Sequence, residues 1–381
     1  MGAVLGSGQI LCIVGARPNF MKIAPIMRAF AQPDSVLRAR LVHTGQHYDA
    51  AMKHAFFDQL HIPEPDVDLE VGSGTHAQQT ADIMKRFEPV LDKALPLAVL
   101  VVGDVNSTIA CALVAVKKGV PVIHVEAGLR SGDRGMPEEI NRILTDQLSE
   151  LLFITEVSAQ DNLVREGVAK DKVHFVGNVM IDTLRYNLND AVPARTTLAR
   201  AGCHDPVSSG SDYGLVTLHR PSNVDDPVVL ARLLEVLGQI SRRTPLLFPI
   251  HPRTEQRIAT AGLTGLLEGS AITTLQPQGY LEMLGLMKDA RVVFTDSGGI
   301  QEETTALGVP CITLRENTER PVTVSQGTNT VVGTSVERIL ACYEDVVTTG
   351  GKLGRVPELW DGNAAVRIVQ TINQWAAGLD R

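Results

Sequence analysis

Short runs of Val, Ile and Leu recur along the chain, apolar from end to end, between longer stretches whose apolar residues return at helical spacing. The first half offers such runs at Gln9–Val14, Ala39–His43, Leu97–Val102, Val120–Val125, Leu151–Ile154 and Val173–Val176. The second half offers Tyr213–Leu218, Leu246–Ile250, Ile272–Leu275, Val292–Thr295 and Pro310–Leu314. Strands without polar alternation suit a parallel sheet covered on both faces. Helical-period segments lie between them, for example Pro227–Arg242 and Tyr280–Asp289, and no hairpin turn joins neighbouring strands. This alternation, run through twice, predicts an α/β protein of two doubly wound, Rossmann-like domains.

At 381 residues the chain exceeds what one core usually serves, which agrees with two domains. The first is expected over 1–180 and the second over 181–362, with the join near Asp182–Asn189. Residues 363–381 read as an amphipathic helix, and Gly202–Asp212 as a loop. Met1 to Gly8 reads as a loose leader. A net charge of −8 with scattered Lys and Arg argues against nucleic acid. No long apolar span or signal-like leader argues for a membrane partner or export. Cys12, Cys111, Cys203, Cys311 and Cys342 are widely spaced and fit free thiols in a reducing cytoplasm.

Ligands of open α/β sheets bind beyond the carboxyl ends of the strands, so those ends were searched for chemistry. In Val293–Thr304 an apolar strand meets Asp296, turns through Ser297-Gly298-Gly299 and opens a helix near Ile300. Adjacent glycines followed by unpaired helical N–H groups make a place for phosphate. Glu302 and Glu303, expected in the first helical turn, offer a carboxylate for the hydroxyls of a ribose. The bland alternative is an ordinary turn capped by Asp or Ser. Other strand ends carry Arg17 and Lys22, Gln46, Asp104, His124 with Glu126, His219 with Arg220, His251 with Arg253, and Arg315 with Arg320. Asp104 alone reads equally as a helix cap, and Glu138 and Glu139 as acids at a helix start. Together, Asp104, Glu126 and Glu138 at one sheet edge suit acid/base chemistry. The cations of the second half predict an anion site facing those acids across an interdomain cleft. The first glycine turn is not GxGxxG and lacks the acid of a nicotinamide fold, and no spacing of His, Asp or Glu matches a metal site.

The ordered motifs GARPNFMK, TGQH, GDVNST, HVEAGLRS, MPEEINR, TLHRP, IHPR, DSGGIQEE and RENTERP span about Ile10 to Gly333. In this the chain resembles the non-hydrolysing UDP-N-acetylglucosamine 2-epimerases, whose fold is similar to the GT-B glycosyltransferases. The resemblance implies interconversion of UDP-GlcNAc and UDP-ManNAc without NAD or metal, with the C-terminal helix returning to the first domain. It also implies a UDP-sugar as partner and a homodimer. By position, Asp104, Glu126, Glu138 and His219 match the family's catalytic residues, and Arg17 and Lys22 its cations near the diphosphate. Gln278, Ser297, Gly298, Gly299, Glu303 and Arg320 match nucleotide contacts, and Met283 stands where several members carry an aromatic beside the base. Gln46 fits a second, regulatory site of some relatives, while Asp49 and Gln78 depart from it. Rival readings are a 2-epimerase of a diacetamido-glucuronate, with Arg130 or Arg134 as its extra cation, a GT-B glycosyltransferase, and a silent UDP-sugar-binding module.

Overall fold

A computed structural model describes residues 8–46, 56–203 and 212–379. His47 and Asp49, the leader before Gly8 and most of the Gly202–Asp212 loop lie outside the described residues. The chain divides into two compact units, 1–186 with 358–381, and 187–357.

In the first unit the described strands are β1 (Gln9–Val14), β2 (Arg38–His43), β3 (Val67–Asp68), β4 (Ala98–Val102), β5 (Val122–Val125), β6 (Leu151–Ile154) and β7 (Val173–Phe175). They form one parallel sheet in the order β3-β2-β1-β4-β5-β6-β7. Every residue of β4, β5 and β6 is buried, as expected of strands covered on both faces. On one face Leu11, Ile13, Val99 and Val101 pack against Ile83, Phe87 and Leu91 of helix His76–Ala94 and against helix Asn106–Lys117. The order of strand addition reverses between β1 and β4, which pair in parallel, the switch point where such sheets hold ligands.

The second unit repeats the plan with β8 (Gly214–Thr217), β9 (Leu246–Pro249), β10 (Ile272–Leu275), β11 (Val292–Thr295), β12 (Cys311–Thr313) and β13 (Asn329–Val331). Its order is β10-β9-β8-β11-β12-β13, all parallel, with the switch point between β8 and β11. Val216, Phe248, Phe294 and Ile312 meet Leu230, Leu233, Leu237 and Ile240 of helix Pro227–Ser241 in its core.

The division between the units falls after Tyr186, inside the stretch Asp182–Asn189. It lies at the end of helix Val179–Asn187, which up to Tyr186 belongs to the first unit. Ile181, Thr183 and Leu184 are buried, and the Thr183 hydroxyl donates to the Met21 carbonyl at 2.6 Å. The chain also returns earlier than residue 363. Buried Trp360 donates from its indole nitrogen to the Thr155 carbonyl at 3.0 Å. Asp182 accepts the backbone N–H groups of Ala364 (3.1 Å) and Ala365 (2.7 Å), satisfying two open donors of helix Ala364–Leu379. That helix packs on helix Arg17–Phe30. Trp360→Ala is therefore expected to destabilise the first unit by about 3–5 kcal/mol in denaturant unfolding, the usual cost of emptying a large aromatic site. Among the described residues no helix is long and apolar enough to cross a membrane.

Candidate active-site constellations

Asp104 and Glu126 follow β4 and β5, next to the switch point of the first unit. Glu126 ends β5 with φ +72°, a left-handed conformation that costs a non-glycine residue about 1–2 kcal/mol. Its N–H and that of Ala127 both point to the Phe153 carbonyl, so the strand is bulged there and the side chain re-aimed. Only 4% exposed, Glu126 forms an ion pair with Lys22 of helix Arg17–Phe30, itself 5% exposed. The cation expected near a diphosphate is thus engaged by an acid. Asn19 anchors this corner, accepting from Ala16 N at 3.2 Å and donating to the Val102 carbonyl at 2.9 Å. Arg17, at the helix start, lays its guanidinium over the Phe56 ring, 4.5 Å from the centroid.

Asp104 is not a helix cap. Val105 holds that position before helix Asn106–Lys117, and the Asp104 carboxylate pairs with Arg142. Arg142 lies on helix Pro137–Leu148 and also grips Glu139 through Nη2 (2.6 Å) and Nε (3.0 Å). Glu139 is nearly closed off from solvent and receives the N–H groups of Ser131 and Gly132. Burial pushes its pKa up, but the Ser131 N–H, Arg142 and the Gly132 N–H outweigh it and hold the carboxyl below its ordinary range. Glu139 thus shapes the loop, while its half-buried neighbour Glu138 shares the first turn of the same helix. Asn141 completes the join, donating to the Asp104 carbonyl at 2.9 Å.

Gln46 is engaged within the first unit. Its side-chain oxygen accepts from the Ser107 N–H (3.1 Å) and hydroxyl (2.7 Å), deep in a network reaching Thr44, Gln79 and Asn106. Gln78 belongs to the capping box of helix His76–Ala94 with Thr75. Arg130, a proposed partner for a sugar carboxylate, is bound to buried Asp146 and to Glu166, whereas Arg134 is exposed.

In the second unit the Asp296 carboxylate, 0% exposed, organises the switch point. It accepts the backbone N–H groups of His219 and Arg220, the Asn223 amide, and the His219 ring at 3.0 Å from Nδ1. Burial would raise the Asp296 pKa; the His219 contact and the backbone donors reverse that and hold it low. His219 is oriented from beneath by a charged acceptor, with 41% of its side chain exposed.

The glycine turn opens its helix earlier than expected, at Gly298 rather than Ile300, so Glu302 and Glu303 fall in the second turn. Neither predicted cap operates: Asp296 is spent on the β8 loop, and the Ser297 side chain makes no cap bond. Beside this helix start, Arg320 pairs with Glu319 (3.1 Å) and Glu302 (3.1 Å), and Arg315 with Glu319 (2.9 Å). The three cations Arg220, Arg315 and Arg320 outnumber their shared acid Glu319, whose pKa they drive far down against the opposing effect of burial. Glu302 thus serves Arg320 as an internal counter-ion. Glu303 accepts from the Tyr280 hydroxyl at 3.0 Å, and burial, with Tyr280 opposing, pushes its pKa up to about 8.

Glu303 carries a pH signature. Its folded pKa of about 8 lies above the ordinary 4.5, so the folded form holds the proton more tightly. The stability it contributes is present below pH 4.5 and is lost as pH rises towards 8. Glu303→Gln should flatten the fall in unfolding free energy across that interval, measured in urea at several pH values; an unchanged slope would contradict the assignment.

The His251 ring lies beside that of His219, with centroids 6.1 Å apart. His251 is exposed and its Nδ1 accepts from Arg253 N at 3.2 Å, capping helix Pro252–Thr260. Arg253 itself pairs with Asp225 at the surface, which removes it from the anion site. Half-buried Met283 lies on helix Tyr280–Lys288, and the Gln278 amide donates to the Gln276 carbonyl at 2.7 Å.

A family model for UDP-N-acetylglucosamine 2-epimerase matches residues 31–373. The chain belongs to this family. Among its relatives, the UDP-N-acetylglucosamine 2-epimerase of Methanocaldococcus jannaschii is 43% identical over 367 residues, covering 96% of this chain and 98% of the relative. The UDP-2,3-diacetamido-2,3-dideoxy-D-glucuronate 2-epimerase of Pseudomonas aeruginosa is 42% identical over 349 residues, covering 90% and 93%. The crystal structure of the Methanocaldococcus jannaschii UDP-GlcNAc 2-epimerase in complex with UDP-GlcNAc and UDP matches with a TM-score of 0.87 at 40% identity, over 96% of this chain and 99% of that one. That likeness confirms the expected α/β fold class with two Rossmann-like sheets.

Several residues of these epimerase constellations were not singled out from sequence. Arg142 and Asn19 lay within quoted motifs but had no signal beyond an ordinary helix face. Tyr280 and Glu319 act through partners far along the chain or closed from water, and spacing does not reveal either.

Proposed function

We propose that this epimerase is a non-hydrolysing isomerase that interconverts UDP-GlcNAc and UDP-ManNAc by elimination and re-addition of UDP. The observation that carries it is the pairing of buried Glu126 with Lys22 and of Asp104 with Arg142, whose helix also carries Glu138, in a chain that has an oriented His219 and an arginine-rich glycine turn. The C2 proton of the sugar has no adjacent carbonyl, so enolisation is closed to it. A carboxylate takes the C2 proton, the C–H electrons form the C1=C2 bond, and the C1–O bond breaks with its electrons leaving on UDP. In the return step the UDP oxygen attacks C1 while a second acid delivers a proton to the opposite face of C2. Acid/base residues supply the proton transfers, and fixed cations and amides supply charge stabilisation for the departing diphosphate. The Gly298–Gly299 amides, Arg320 and His219 fit the second task, with Glu303 on the ribose and Met283 and Gln278 towards the base.

The rival substrate, a diacetamido-glucuronate, is favoured by the Pseudomonas aeruginosa relative. It needs a cation for the sugar carboxylate. Arg130 is committed to Asp146 and Glu166, which leaves exposed Arg134 as the candidate and weakens that reading. Turnover of the two UDP-sugars side by side decides the matter. A higher kcat/KM for UDP-GlcNAc is expected, and the reverse ranking would move the chain to the other substrate.

A further inference from the structure

Three elements of the first unit carry the acids: β4 leads to Asp104, β5 to Glu126, and helix Pro137–Leu148 to Glu138. One buried pair outside that set touches all three. His124, on β5 and fully buried, places Nδ1 2.6 Å from an Asp146 oxygen on the helix and Nε2 2.8 Å from the carbonyl of Gly103, the residue before Asp104.

The pattern of acceptors determines what the ring does. A carbonyl only accepts, so Nε2 donates to Gly103. The other Asp146 oxygen already accepts from Gly128 N (3.0 Å) and Arg130 Nη2 (2.7 Å), and Glu166 holds the same guanidinium at 2.9 and 2.6 Å. Burial favours a protonated Asp146, but His124 and Arg130 outweigh it and hold the carboxyl below its ordinary range. Asp146 therefore accepts on both oxygens, and Nδ1 donates as well. Two donors on one rigid ring bolt a strand tip to a helix.

The bolt sits where a small shift matters. Gly103 adopts φ +66°, and its turn is held from one side by its own N–H on the Val125 carbonyl (3.0 Å) and from the other by His124. Asp104 leaves that turn directly and meets Arg142, four residues before Asp146 on the same helix. We propose that His124 and Asp146 form a positioning pair, which locks β4, β5 and helix Pro137–Leu148 together so that Asp104, Glu126 and Glu138 keep fixed places around one carbon. This rests on the epimerase reading above. The pair moves no substrate proton; it acts through the three acids.

Asp146→Asn keeps the shape but turns one acceptor into a donor facing Arg130 and Gly128. Its kcat should fall by about 10²-fold, the usual consequence of a misplacement near 1 Å. KM and UDP affinity should stay at wild-type values, and UDP with free 2-acetamidoglucal should leak during turnover because reprotonation is slowed. Glu166→Gln, which holds Arg130 only at its outer side, should leave kcat unchanged. Wild-type kcat without leakage in Asp146→Asn, or a loss that tracks only the folded fraction, would overturn the proposal. If that variant does not fold, His124→Gln offers the same readouts, since its amide reaches one partner at most. A ¹⁵N spectrum of the wild-type histidines decides independently of any variant or substrate. A hydrogen on each His124 ring nitrogen, one directed at Asp146 and one at the Gly103 carbonyl, is expected, and a bare nitrogen would sink the pair. Failure of the wild type on UDP-GlcNAc, with that imidazole signature present, would count against the substrate reading and not against the doubly donating ring.

Discussion

Glu126→Gln should lower kcat for UDP-GlcNAc epimerisation by about 10³-fold, within the range attributed to a positioned general base. UDP affinity should stay at the wild-type value, because the proposed nucleotide contacts come from other strands. The amide keeps the size of the side chain but not its charge or its capacity to take a proton. Lys22 would then be buried beside a neutral group, and breaking a buried pair in this way costs about 3–5 kcal/mol. Some loss of stability is therefore expected alongside the loss of rate. The two are separable: activity per folded molecule, taken from the native fraction in a denaturant titration, should still show most of the deficit. Full activity in the folded fraction would reduce Glu126 to a structural counter-ion for Lys22.

Gly298→Ala is the second change with a large expected effect, and it acts on the nucleotide. A methyl group at this position would lie 2.6 Å from a Glu319 oxygen and 3.2 Å from the Arg320 guanidinium carbon. Neither neighbour can yield freely, since Arg320 is held by Glu302 and Glu319, and Glu319 by Arg315. The guanidinium should be displaced and the start of helix Gly298–Leu307 shifted. Loss of one charge-assisted contact is worth about 1.5–3 kcal/mol, so UDP affinity should weaken by about 10–100-fold by calorimetry. The first unit should keep its stability. Unaltered UDP binding would place the nucleotide away from the glycine turn.

These two residues also show what the sequence made readable. Strands β1, β6, β10 and β11 stand where the apolar runs predicted them, because a strand covered on both faces has no polar alternation to blur its limits. The edges β3 and β13 escaped notice. They are two and three residues long and carry Asp68, Asn329 and Thr330, so no apolar run marks them. The turn at Ser297-Gly298-Gly299 was legible because paired glycines before a helix have few other uses. The task of Asp296 was not, since a cap and a long-range acceptor look alike in sequence. Glu303 could be singled out, but its burial against Tyr280, which sets its pKa, depends on how helix Tyr280–Lys288 packs. Likewise the acids were visible at strand ends, while Lys22 and Arg142 became their partners only through folding.

The central claim is that a carboxylate of the first unit removes the proton at C2. Incubation of the wild-type protein with UDP-GlcNAc in D₂O, followed by proton NMR, tests this most directly. UDP-ManNAc carrying deuterium at C2 is expected, with the exchange abolished in Glu126→Gln. UDP-ManNAc that keeps its original proton at C2 would contradict it.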